Sequence, residues 1–241
     1  KTALLAALLL GAAHAPALAQ SVTVDLGKTA GGTATARMLQ LIALGTVISL
    51  APSILVMMTS FTRIIIVLSF VRSAIGVQTT PPNQVLTSLA LFLTLFIMQP
   101  VFEKAYEDGI RPLMDEEITE VQAFERTSAP FHAFMLQHVR ADDLKLFANM
   151  AKDVKIQAPE DTPWRVLIPA YMISELKRAF EIGFLIYVPF IIIDMLIASI
   201  LMAMGMMMLP PVTISLPFKV IFFVLVDGWS LVCGSLVRSF G

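Results

Sequence analysis

Long uncharged apolar runs, cut by proline and glycine, set the pattern of this chain. Positions 38–62 carry no charge. They are long enough to cross a bilayer, which takes about 20 apolar residues. Pro52 lies inside this run and predicts a kink or a restart of the helix. A shorter apolar stretch runs from Arg63 to Arg72, and Gly76, Pro81 and Pro82 mark a turn over 75–82. Positions 83–102 form a second uncharged run of spanning length. The pattern then changes to short amphipathic repeats. Met114, Ile118, Val121 and Phe124 fall on one helical face. Pro130 is expected to open a second helix, with Phe131, Phe134 and Met135 on one side. Asp142 is placed to cap a third, with Leu144, Phe147 and Met150 inward. Thr162-Pro163 reads as the start of a helix at Trp164. Apolar runs return from Pro169, with Pro189 expected to break the helix. Two of them flank the stretch Met204-Gly205-Met206-Met207-Met208-Leu209-Pro210-Pro211, which holds four of the chain's 14 methionines.

Composition places these elements in or at a membrane. The chain is 57% apolar with mean hydropathy +0.80, against about 45–50% apolar for soluble domains. The fold class expected is all-α: membrane-associated helical hairpins with a small helical insert. Net charge is −1, which gives no attraction for nucleic acid. Cys233 is the single cysteine, so no intrachain disulfide forms.

Charge then divides the chain. Residues 1–19 read as a signal peptide: Lys1, an apolar core too short to span, and Ala17-Leu18-Ala19, with cleavage after Ala19. Residues 20–36 are a Gly/Thr-rich flexible arm; Gly27-Lys28-Thr29 lacks the upstream glycine of a phosphate loop. Residues 37–102 form a first apolar hairpin, whose turn, next to Arg63 and Arg72, belongs in the cytoplasm. Residues 103–165 carry 13 Asp/Glu and 8 Lys/Arg, and this acidic insert belongs on the outer, periplasmic side. Its phenylalanine-rich faces either build a core of their own or meet other subunits. Residues 166–241 form a second apolar hairpin around the methionine loop.

Candidate chemistry is sparse. No nucleophile elbow, zinc-helix motif or paired-cysteine site occurs, so neither an enzyme, a metal nor a cofactor is expected. His132 and His138 do not share a helical face. Charges do stand in apolar sequence: Arg63, Asp194, Lys219 and Asp227. Each costs at least about 2.5–3.5 kcal/mol at membrane depth. Arg63 lies either at a membrane interface or buried against another subunit. Asp194 pairs with Lys219 or Asp227 inside one hairpin, pairs between subunits, or carries protons. Lys177 and Arg178 fall on the outer side, against the positive-inside rule, so they are expected to face protein. The methionine cluster is either an apolar helix end or a deformable seal, because thioethers adapt to changing surfaces.

The runs at 169–184 (PAYMISELKRAFEIGF), 189–194 (PFIIID), 204–211 (MGMMMLPP) and 216–219 (LPFK) resemble the FliP family of flagellar export-gate proteins. The likeness extends to 37–102. It implies several copies assembling with FliQ- and FliR-like subunits into a helical, funnel-shaped pore for unfolded flagellar proteins, with FlhA- and FlhB-like proteins beneath. It implies that Met206, Met207 and Met208 form a gasket around the closed pore. It implies a salt bridge between subunits from Glu175 to Lys219, and subunit contacts at Phe134 and Phe147. It leaves Arg63, Asp194 and Asp227 as structural charges. A self-contained proton-coupled transporter, with Asp194 and Asp227 as carriers, is the rival.

Overall fold

The computed structural model describes residues 34–77, 79–151, 158–206 and 208–241. Every regular element among them is helical. Two compact units divide the chain, Lys1–Val47 and Ile48–Gly241. The described part of the first is the opening of helix α1, Ala34–Met57.

Helix α1 passes position 52 without ending, so the expected break moves to 58–60. One interior proline removes a single backbone bond, and a helix in apolar surroundings keeps its other bonds. Thr59 supplies what position 52 lacks. Its hydroxyl donates to the Val56 carbonyl at 3.1 Å and accepts from the Phe61 N–H at 3.4 Å. Helix α2 is Phe61–Ile75, closed by Gly76 at φ 89°. Only glycine adopts that left-handed geometry without steric cost.

Helix α3, Asn83–Ala105, runs on through a π-helical turn, Tyr106–Ile110, into α4, Arg111–Met114. Helix α5 is Glu120–His138, started by a reciprocal capping box between Thr119 and Gln122. That box ends the proposed face over 114–124. Met114 belongs to the preceding helix, and Met114, Val121 and Phe124 are all exposed rather than inward. Pro130 lies inside α5 and does not open it. Helix α6 is Ala141–Met150, with Arg140 rather than Asp142 at the cap; Leu144 and Phe147 are half-buried and Met150 is exposed. After a 3₁₀ turn at Pro159–Asp161, helix α7 spans Trp164–Ala203. Its 40 residues continue through Pro169 and Pro189, so the break expected at Pro189 does not occur. At 1.5 Å per residue α7 is about 60 Å long, roughly twice a bilayer's hydrocarbon core. Helices α8, Pro211–Leu225, and α9, Gly228–Arg238, meet at a 60° bend.

Among the described residues, two helical stretches are long and apolar enough to cross a membrane, Asn83–Met114 and Trp164–Ala203; the bent α8–α9 pair would make a third. Helix α2 lies along α7, closely enough that a Cβ at Gly183 would stand 2.5 Å from the Phe70 ring. Among its described residues the insert forms no separate core. Phe131, Phe134 and Met135 join Ile64, Leu167 and Tyr171 in one cluster. The alternatives of a separate core or contact between subunits thus meet a third outcome, packing on the chain's own hairpins. Roughly sixty residues supply too little apolar area to fold alone, and a prepared surface lies beside them.

Candidate functional site

Three centres lie along α7. Toward its N-terminal end, Arg63 of α2 donates from Nε and Nη2 to both Glu175 oxygens, at 2.8 and 2.5 Å. Its Nη1 donates to the Ser239 carbonyl at 3.1 Å and hydroxyl at 2.9 Å. The guanidinium also lies 3.7 Å from the Phe240 ring centroid. Arg63 and Glu175 are 1% and 0% exposed, which removes the membrane-interface placement for Arg63. Burial of this pair is sustainable because the arginine fork matches both carboxylate oxygens and Nη1 finds acceptors on Ser239. Next to it, the Ser174 hydroxyl accepts from Arg140 N at 3.0 Å and lies 2.8 Å from Asp143 Oδ2. Adjacent residues of α7 therefore hold α2 and α6.

Further along, Asp194 accepts from Lys219 Nζ at 2.6 Å and from the Ser215 hydroxyl. Ser215 and Lys219 are one turn apart on α8, so both reach the same carboxylate. This is the pairing inside one hairpin. Lys219 is buried, while Asp194 keeps 28% exposure.

The third centre is the loop that joins α7 to α8. Helix α7 ends in a Schellman motif: Met206 N–H donates to the Leu201 carbonyl, Gly205 N–H to that of Met202, and Gly205 stands at φ 73°. Pro210 and Pro211 then start α8, Pro211 at its first position. Between these stops the thioethers point outward. Met204, Met206 and Met208 are 60%, 43% and 98% exposed. Met207 lies outside the described residues, as does Ala19.

The FliP family model matches residues 44–236. The chain belongs to the FliP family. A protein of Caulobacter vibrioides named flagellar biosynthetic protein FliP is 57% identical over 237 residues, covering 98% of this chain and 88% of that one. Its namesake in Bacillus subtilis is 55% identical, covering 83% of this chain and 91% of its own length. That of Aquifex aeolicus is 51% identical, covering 81% and 82%.

Within this FliP-family chain, the residues singled out from sequence fall into two groups. Arg63 and Glu175 meet each other, and Asp194 meets Lys219. Glu175 and Lys219, matched to a bridge between subunits, thus each have a partner inside the chain. Asp227 is exposed at the α8–α9 bend, at φ 50°, and makes no side-chain cap. Phe134 is buried against Tyr171 and Phe240, and Phe147 is half-buried on α6. Sequence reasoning missed Ser239, Phe240 and Ser215; His138, which shares no helical face with His132, is a packing residue. Ser215 was findable, one turn before a lysine in apolar sequence. Ser239 was not, because half of its contribution is a backbone carbonyl.

Proposed function

We propose that this FliP-family chain is a pore-forming subunit of the flagellar type III export gate. It passes unfolded flagellar proteins through a channel that methionines close. The observation that carries this is the outward exposure of Met204, Met206 and Met208 at a tightly stopped helical hairpin end. That exposure leaves the thioethers free to meet groups outside this chain's own core. Flexible, polarizable side chains suit a seal that reshapes around a passing chain. One copy offers one loop, so closure needs a ring of copies with FliQ- and FliR-like subunits, above FlhA- and FlhB-like proteins. Phe134 and Phe147 then serve subunit contact. A Glu175–Lys219 bridge between copies requires exchange of the Arg63 and Asp194 contacts on assembly. The rival transporter needs Asp194 free to carry protons, and its ties to Lys219 and Ser215 favour the passive channel.

The test is replacement of Met206, Met207 and Met208 by Ala in cells that assemble the complex. Uptake of small solutes should rise while flagellar export persists. Unchanged permeability with an intact assembly rejects the gasket.

A further inference from the structure

The junction between α4 and α5 leaves apolar side chains uncovered. Leu113, Ile118 and Val121 line a groove of about 490 Å³ there, together with Glu116, Thr119 and Glu120. Phe124 stands one turn beyond Val121 on α5, and Met114 follows Leu113 at the end of α4. Met114, Val121 and Phe124 are 70%, 69% and 74% exposed. Three features fix the walls. The capping box of Thr119 and Gln122 sets where α5 starts. A Cβ at Gly109 would stand 2.7 Å from the Thr127 backbone nitrogen and 3.0 Å from the Ala123 carbonyl oxygen, so the π-helical turn lies directly on α5. Helix α4 ends in a Schellman motif: Glu117 N–H donates to the Pro112 carbonyl at 2.9 Å and Glu116 N–H to that of Leu113 at 3.1 Å. Glu116 stands at φ 57°, in the position that glycine usually takes. A side chain there costs stability, and such strain gathers at functional sites.

The rim is acidic. Positions 103–125 hold 8 Asp/Glu and 2 Lys/Arg, a net charge of −6. Arg111 lies 4.0 Å from Asp115, while Glu116, Glu117 and Glu120 pair with no cation among the described residues. We propose that this groove docks a basic amphipathic helix of another protein, whose apolar residues fill the space between Leu113 and Val121 and whose lysines or arginines meet Glu116 and Glu120. Charge selects that occupant. Two copies joined through this face would set one acidic rim against the other, and like charges brought together at an interface are strongly unfavourable. Anionic lipid headgroups would be repelled in the same way, and carboxylates lose their hydration in hydrocarbon. A basic helix gains on both counts: its cations neutralise the rim and its apolar face covers the exposed side chains. An apolar centre within a polar rim is the common build of an interface, and fixed walls lower the ordering cost of docking. The glutamate at the left-handed position then has a use, since it holds a carboxylate at the groove's edge. This surface stands whether or not the methionine loop closes a channel.

The experiment replaces Val121 of the full chain by a photo-crosslinking phenylalanine analogue, in cells that assemble the complex, and maps the adduct by mass spectrometry. The expected adduct is a segment of a different protein, apolar at helical spacing with Lys or Arg beside the apolar positions. Glu116→Lys with Glu120→Lys should lower its yield about tenfold at an unchanged level of chain, because like charges then meet. Should that pair of changes reduce the amount of folded chain, Glu116→Gln with Glu120→Gln should still lower the yield about threefold. Glu116→Gly separates docking from folding: it relieves the backbone, so the melting temperature should hold or rise while the yield falls. An adduct with a second copy, with lipid, or with an uncharged or acidic segment overturns the proposal. So does a yield that the charge changes leave alone, or the absence of any adduct.

Discussion

Glu175 and Asp194 are both carboxylates of α7, about 28 Å apart along its axis at 1.5 Å per residue. Each holds a cation from another helix. Around Glu175 both oxygens take the Arg63 fork, whose other edge goes to Ser239 and whose face goes to Phe240. Asp194 takes one lysine and one serine and stays 28% exposed. Beyond it, the methionine loop has no polar side-chain anchor and leaves Met208 98% exposed. The difference separates a buried junction at Glu175, whose partners all lie within the chain, from a hairpin end whose side chains point away from the chain's own core.

The largest effect should come from the saturated pair. Arg63→Ala leaves Glu175 buried and unpaired and should cost about 3–5 kcal/mol. The midpoint of thermal unfolding in detergent measures it. Arg63→Met with Glu175→Leu should recover most of the loss, and a single variant as stable as the parent would remove the buried junction from the account. Lys219→Met strands a half-open carboxylate, and the expected loss is about 1 kcal/mol. Adding Asp194→Leu should restore the stability of the isolated chain. If Lys219 also bridges copies, native gels will still show impaired oligomers in that double variant; normal oligomers would count against the bridge. The smallest effect belongs to Met208→Leu, within about 0.5 kcal/mol because the side chain is exposed. A clear drop in melting temperature would mean that the loop packs on its own chain after all.

Much of the helical plan was legible in the apolar runs. The turn at Gly76, the start at Trp164, the hairpin around Pro210-Pro211 and the inward side of Phe131, Phe134 and Met135 follow from local sequence. The prolines misled. Pro52, Pro130 and Pro189 each looked like a boundary, yet helix passes through all three positions. Each removes one donor, a loss that a long helix with its other backbone bonds intact absorbs. Capping chemistry proved stronger than proline: Thr119 with Gln122, and the Thr59 hydroxyl, set the true boundaries.

By itself the sequence determined most of the helical segments, two of the runs apolar enough to span a membrane, that a carboxylate and an ammonium stand on either side of the methionine loop, and, by its likeness to FliP proteins, the family. Those properties are local, or are carried by residue identity. The tertiary structure alone decided that Arg63 belongs to Glu175, that the insert lies on the hairpins, and that Phe240 sits beneath an arginine and against a histidine. The Arg63–Glu175 pair and the Phe240 contacts join positions more than a hundred residues apart, and no helical period links them. They form because a buried arginine and a buried carboxylate, each ruinous alone, cancel when packing brings their helices together.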